Sequence, residues 1–192
     1  MAFNVNEFRS QLVGDGARPN LFEVRLNFPS FTQNSQAAAV KSTFMVKSAQ
    51  LPGSTVGLSP LYYFGREVKI AGNRTFADWS VTVVNDEDFV VRNAMESWIR
   101  GINENEQNVR SARARSTLQY GSDAFVTQYS KDGAAIKRYQ MIGMFPTDIT
   151  PIDLDWGTND TIEEFTVTFA LQYWVSVDRG LVSNLRSAVE AL

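Results

Sequence analysis

Carboxylates are almost the only side chains in this sequence able to do chemistry. Among its 192 residues there is no cysteine and no histidine. That excludes a thiolate nucleophile, a Ser–His triad, a histidine general base, a Cys/His zinc site and any disulfide. Asp148, Asp153, Asp155 and Asp160 fall in one stretch, and such a set could hold Ca²⁺ or share a proton in acid–base catalysis. Their spacing matches no EF-hand loop, and loop aspartates accepting backbone N–H groups account for them better. Arg110, Arg113 and Arg115 make a basic cluster in a polar stretch. A single-strand nucleic-acid platform would interleave aromatic side chains, and none stands between Trp98 and Tyr120. The formal net charge of −3 also opposes dedicated nucleic-acid binding, which rests on neutralising phosphates. No catalytic residue, metal ligand or cofactor is expected. The remaining enzymatic reading is a carboxylate-dependent hydrolase using two of the loop aspartates.

The elements that would position these residues are mostly strands. Hydrophobic residues make up 44% and charged residues 20% of the chain, a globular balance for one domain with one core. No apolar run is long enough for a membrane helix, and the first residues lack the basic start of a signal peptide. A soluble protein made in a cytoplasm is expected. Asn4 is placed to cap a short helix over residues 5–13, with Gly14 or Gly16 ending it. Residues 21–28 alternate, with Phe22, Val24, Leu26 and Phe28 on one face and Glu23, Arg25 and Asn27 on the other. A polar, Ala-containing loop is read over 29–40 and a strand over 41–50, with Phe44 and Val46 inward. A further strand spans 62–70, turn chemistry stands at Ala71-Gly72-Asn73-Arg74, and the partner strand follows over 77–85.

The long helix signal covers residues 86–102. Asp86, Glu87 and Asp88 fall in its first turn, where the macrodipole favours anions. Phe89, Ala94, Met95, Trp98, Ile99 and Ile102 form its apolar stripe. A long polar segment over 103–123 precedes two strands, 124–131 and 136–144, joined by an Asp132-Gly133 turn. Residues 145–160 are read as irregular. In 163–174 the odd positions Phe165, Val167, Phe169, Leu171 and Tyr173 are apolar, while Thr166, Thr168, Ala170 and Gln172 face the other way. That second face is polar but uncharged. Leu181, Leu185, Ala188, Val189 and Leu192 then recur at helical spacing. The sum is an α+β, mostly-β domain of about seven strands with one main helix.

Four segments carry a resemblance to a known family. The first is Ala71-Gly72-Asn73-Arg74-Thr75-Phe76-Ala77-Asp78-Trp79-Ser80-Val81-Thr82-Val83, followed by Asn85-Asp86-Glu87. The others are Ala17-Arg18-Pro19-Asn20-Leu21-Phe22, Phe145-Pro146-Thr147-Asp148, and Leu154-Asp155-Trp156 leading into the strand ending at Trp174. In this order they resemble the tail tube proteins of contractile-tailed bacteriophages of the T-even type, over most of residues 17–174.

The resemblance implies a β-sandwich or split barrel flanked by a helix, similar to the tubes of type VI secretion and related injection machines. It implies hexameric rings stacked into a hollow tube inside a contractile sheath, with the subunits' sheets joined around a channel for DNA. Sheath, baseplate and tape-measure proteins are the implied partners, the virion tail is the implied location, and assembly takes place in the host cytoplasm. A tube-like injection-machine subunit or a baseplate tube initiator is the neighbouring reading.

On that reading Thr166, Thr168, Gln172, Glu67 and Gln140 are candidates for the channel wall. Arg74, Asp78, Arg110, Arg113, Arg115, Leu181 and Leu185 are candidates for contacts between subunits, and Asp86, Glu87 and Asp88 for a surface facing the sheath. Residues 1–175 are expected to be the tube domain and 176–192 a helical extension. Segments 29–40 and 103–123 are longer than a minimal tube subunit needs.

Overall fold

The computed structural model describes residues 4–177 of the chain. Asn4 caps α1 (Val5–Gln11), its Oδ1 accepting the Asn6 N–H at 3.1 Å, and none of the helix's residues is buried. Then follow β1 (Phe22–Leu26), α2 (Ser35–Met45), β2 (Val46–Ala49), β3 (Ser54–Tyr63), β4 (Arg66–Phe76) and β5 (Trp79–Val84). The second half holds α3 (Val90–Ile102), α4 (Thr117–Tyr120), β6 (Ser122–Tyr129), β7 (Ala135–Ile149), β8 (Glu164–Ala170) and β9 (Tyr173–Val177). Seven strands form one antiparallel sheet in the order β1-β6-β7-β8-β5-β2, with β9 added on β7. The pair β3-β4 stands apart as a two-stranded ribbon.

The 15-residue β7 joins the two parts of this sheet. Its first part pairs with β6 and β9, and its last part with β8. Gly143 lies at the corner with φ of 62°, where the register against β6 shifts. A left-handed residue in a bulge bends a strand, and glycine takes that conformation without strain. Asp123 holds the corner, its two carboxylate oxygens accepting the Gly143 N–H and the Gln140 Nε2–H, each at 3.0 Å. A side chain at 143 would come within 2.9 Å of Gln172 Cγ.

Inside the bend sits a core of Trp79, Trp98, Phe165, Phe169, Met95, Met141, Met144, Leu26 and several valines. Phe169 is its hinge point: its ring lies 5.7 Å from that of Trp79 and 6.2 Å from that of Trp98. Both indoles also satisfy their polar atom, Trp79 donating to the Gln50 carbonyl at 2.7 Å and Trp98 to the Tyr120 carbonyl at 2.8 Å. Burying that apolar bulk while leaving no N–H unpaired is what makes a tryptophan core stable. α3 covers the open side through Val91, Ala94, Met95 and Trp98.

The strands over β1, β5, β6 and β8 match the alternation in the sequence, and Gly133, at φ of 77°, makes the expected turn between β6 and β7. Several expectations are corrected. Residues 35–45 form α2, so the loop over 29–40 and the start of the strand over 41–50 give way to a helix. Its inward residues are Ala38 and Ser42, four apart, and Phe44 points out, 80% exposed. Small residues there let the helix lie close on β1 and α3. Ala71–Arg74 lie within β4, not in a turn; the turn is at Phe64-Gly65. α3 starts at Val90, so Asp86–Asp88 precede it. The strand expected over 136–144 is β7, which runs on to Ile149 through Pro146, beside a bulge, so the start of the stretch read as irregular is strand. The terminal strand is two strands on different parts of the sheet, parted at Leu171-Gln172.

Candidate assembly surfaces

Alternation along β5 and β8 sends Trp79, Val81, Val83, Phe165, Val167 and Phe169 into the core. It therefore sends Ser80, Thr82, Thr166 and Thr168 to the opposite face. The register places Thr82 opposite Thr166 and Ser80 opposite Thr168. Their hydroxyls meet in pairs, 3.2 Å and 3.4 Å apart. Thr150 Oγ1 accepts the Thr166 N–H at 2.9 Å, and Thr147 Oγ1 donates to the Thr168 carbonyl at 3.1 Å. Ser48 extends the face on β2, opposite Thr82. Its charges are few: Lys47 pairs with Glu164 at 2.5 Å, and Asp148 stands opposite Thr168. The face is thus hydroxyl-rich and internally hydrogen-bonded, and after the Lys47–Glu164 pair cancels, Asp148 leaves it with one net negative charge.

The ribbon is the opposite kind of surface. Over its ten and eleven residues every side chain of β3 is exposed, and so is nearly every one of β4. Phe64 and Gly65, with φ of 45° and 78°, close it with a two-residue turn. Positive φ at both central positions gives the primed turn that matches strand twist. The register puts Leu61, Tyr63, Val68 and Ile70 on one face, and Tyr62, Glu67, Pro60 and Lys69 on the other. Leu61 is 59% exposed and Ile70 49%. At the base the ribbon is tied down: the Trp174 indole donates to the Gly53 carbonyl at 3.0 Å and its ring meets Phe76 edge-on. Beyond that, a two-stranded pairing is marginal in water without a further layer. Halfway along, Gly57 faces Gly72 so closely that a Cβ at 72 would lie 3.1 Å from the Gly57 carbonyl carbon.

A third group joins α2 to the loop before α3. Lys41 pairs with Asp86 at 2.7 Å and also with Asp88. Asp88 accepts the Val90 N–H at 3.1 Å, which satisfies a free donor of the first turn of α3. The Lys41 ammonium, aided by the Glu87 and Val90 amides, holds both carboxyls below the usual carboxylate range. The two carboxylates in turn hold the Lys41 ammonium above its usual value.

The residues singled out in the sequence fall into separate places. Thr166 and Thr168 share the hydroxyl face. Gln172 lies at the break between β8 and β9, Gln140 is on the part of β7 paired with β6 and β9, and Glu67 is on the ribbon. Arg138, near Gln140, stacks on the Phe125 ring at 4.2 Å. Arg74 is exposed on β4 opposite Val56, and Asp78 is exposed just before β5. The segment of Arg110, Arg113 and Arg115 is folded, with a bridge from Asn103 to Arg110 and a short 3₁₀ turn over Ala112–Ala114. Arg110 lies over the Tyr120 ring at 5.4 Å, and the Arg115 N–H donates to Gln119 Oε1.

Of the acidic triplet, Asp86 and Asp88 are occupied by Lys41 and Glu87 lies between them. Asp155 accepts the Gly157 N–H at 3.0 Å, and no cluster of three carboxylates forms among the described residues. Leu181 and Leu185 lie outside those residues. The sequence reading missed Ser80, Thr82 and Ser48, although the alternation in residues 77–85 contains the first two. It missed the exposed β3 altogether.

The seven-stranded sheet, its covering helix and the separate two-stranded ribbon make a fold also found in contractile injection machines. The chain superposes on a component of the anti-feeding prophage tube-terminating cap with a TM-score of 0.61, at 16% identity, covering 92% of this chain and 99% of that one. For a component of the sheath–tube complex of an extracellular contractile injection system the TM-score is 0.54, at 13% identity, with the same coverage. In sequence it is 36% identical over 162 residues to tail tube protein gp19 of Enterobacteria phage T4, covering 84% of this chain and 92% of gp19. It is 26% identical over 175 residues to the tail tube protein of Serratia phage KSP90, covering 90% and 96%. The phage tail tube protein family model matches residues 17–177, and the chain belongs to that family. It is a structural component of a virion tail and not an enzyme.

Proposed function

We propose that copies of this chain form hexameric rings that stack into a hollow tube, the conduit through which DNA leaves the virion, inside a contractile sheath. The observation that carries this reading is the β3–β4 ribbon. It exposes an apolar face that the described residues of its own subunit leave uncovered, and in a polymer that face has a neighbour to meet. The hydroxyl face of β5 and β8 supplies the channel wall. DNA passes such a wall without sticking, because phosphate affinity comes from unpaired cations, and its one lysine is already paired with Glu164.

Baseplate and tape-measure proteins start the assembly and set its length. The tube unit expected over 1–175 runs to the end of β9 at Val177, because Ser176 and Val177 pair with Tyr139 and Arg138 of β7; the residues after it are an addition. Negative-stain images of concentrated protein, alone and with the cognate baseplate, test the proposal: sixfold rings or stacked tubes are expected. Rings of another symmetry, or no polymer under either condition, defeat it.

A further inference from the structure

The ribbon has two long edges, and they are chemically unequal. The two-residue turn makes Tyr63 and Arg66 a pair that exchanges both backbone hydrogen bonds. Bonded and non-bonded pairs then alternate along an antiparallel ladder. Leu61–Val68 and Ser59–Ile70 are therefore bonded pairs. In Tyr62–Glu67, Pro60–Lys69 and Leu58–Ala71 the N–H and C=O groups point outward. The alternation passes an internal check: proline has no N–H, and its position is one where the ribbon itself asks for none. The consequence falls on the outer edge of β3, which lacks its central donor. The outer edge of β4 presents the N–H groups of Glu67, Lys69 and Ala71 without a gap. A proline on an edge strand is a recognised way of blocking further pairing there.

We propose that a second copy of this chain adds a strand to the outer edge of β4, and that the outer edge of β3 is closed to such pairing by Pro60. This rests on the tube reading above, which supplies the occupant: a tail tube subunit is surrounded by copies of itself. The added strand pairs the free backbone groups of β4, and its side chains on the apolar face meet Val68 and Ile70 as lateral neighbours.

Residue-resolved amide hydrogen exchange on monomer and on assembled protein tests this. The amides of Glu67, Lys69 and Ala71 should exchange about tenfold more slowly, or slower still, after assembly. Those of Tyr62 and Leu58 should keep their monomer rates. Slowing at Tyr62 and Leu58 instead, or at none of the five, overturns the assignment. A second arm uses substitutions that remove an outward donor but no bond within the ribbon. Lys69→Pro should give a folded monomer that does not polymerise, whereas Leu58→Pro should polymerise. The reverse result would put the contact on β3. Tubes that form while the β4 amides stay exposed defeat only the edge assignment. Failure to form tubes under any condition defeats the tube reading and this inference together.

Discussion

The β5–β8 pair and the β3–β4 ribbon are both regular antiparallel ladders, and their surroundings could hardly differ more. In β5–β8 one face is sealed against Trp98 and Met95, and the other is closed by hydroxyls that bond to each other and to the neighbouring backbone. Along the ribbon the apolar residues face outward, and an edge with three consecutive outward donors stands unpaired. The first ladder is complete within one chain. The second is not, and on the assembly proposed above another copy completes it, which would separate what folds the subunit from what polymerises it.

The largest effect should come from the sealed ladder. Trp79→Ala or Phe169→Ala removes a fully buried ring and should cost about 3–5 kcal/mol, against a total of about 5–15 kcal/mol for a domain. Chemical denaturation checks it, and a loss well under 1 kcal/mol would contradict the core assignment. Leu61→Ser with Val68→Ser should behave in the opposite way. Monomer stability should move by no more than about 0.5 kcal/mol, while polymerisation followed by light scattering is lost. If the pair destabilises the monomer strongly, the ribbon is covered by its own subunit and the contrast fails.

Thr166→Lys with Thr168→Lys should be milder for stability, since each neutral hydrogen bond lost contributes about 0.5–1.5 kcal/mol. Tubes should still form. DNA release should be slowed, and the slowing should lessen as salt is raised. Normal release from such tubes would move the channel wall to another face.

The smallest effect belongs to the Lys41 clip. Asp86 and Asp88 have folded-state values below their ordinary one, so at acid pH the folded chain binds fewer protons than the unfolded chain. Their stabilisation is therefore present above about pH 4. It is lost as pH falls through the lowered values. Lys41 is raised, so its contribution is present below its ordinary value of 10.5 and lost only above that. In Lys41→Met the stability difference from the parent should be small at pH 6 and shrink towards nothing near pH 2. A difference that stays constant on acidification would show that α2 is held by packing alone.

What was legible in the sequence follows the same division. Strands sealed on one side, such as β1, β5 and β8, declared themselves through alternation, because burial forces a period of two. The ribbon has no buried face to impose such a pattern, so β3 went unread. Its turn was hidden because phenylalanine, not Asn or Gly, occupies the first left-handed position, and the Gly72-Asn73 pair that promised a turn instead faces Gly57 across a bulge. Helix α2 was obscured for a related reason: it buries only Ala38 and Ser42, too little to show an apolar stripe. The hydroxyl face was half visible, in Thr166 and Thr168. Gln140 and Glu67 were grouped with them because a sequence shows that a residue is polar and not which of several outer faces it occupies.

β7 has a mechanical consequence. Each part of the sheet is fastened to the same continuous strand, β6 and β9 on its first stretch and β8 on its last. A pull that would separate the two parts therefore loads covalent backbone instead of unzipping hydrogen bonds one by one. The compliant point is the bend at Gly143, and the Asp123 carboxylate stiffens it from one side. A subunit built in this way flexes at a defined corner under load and keeps its strands in register.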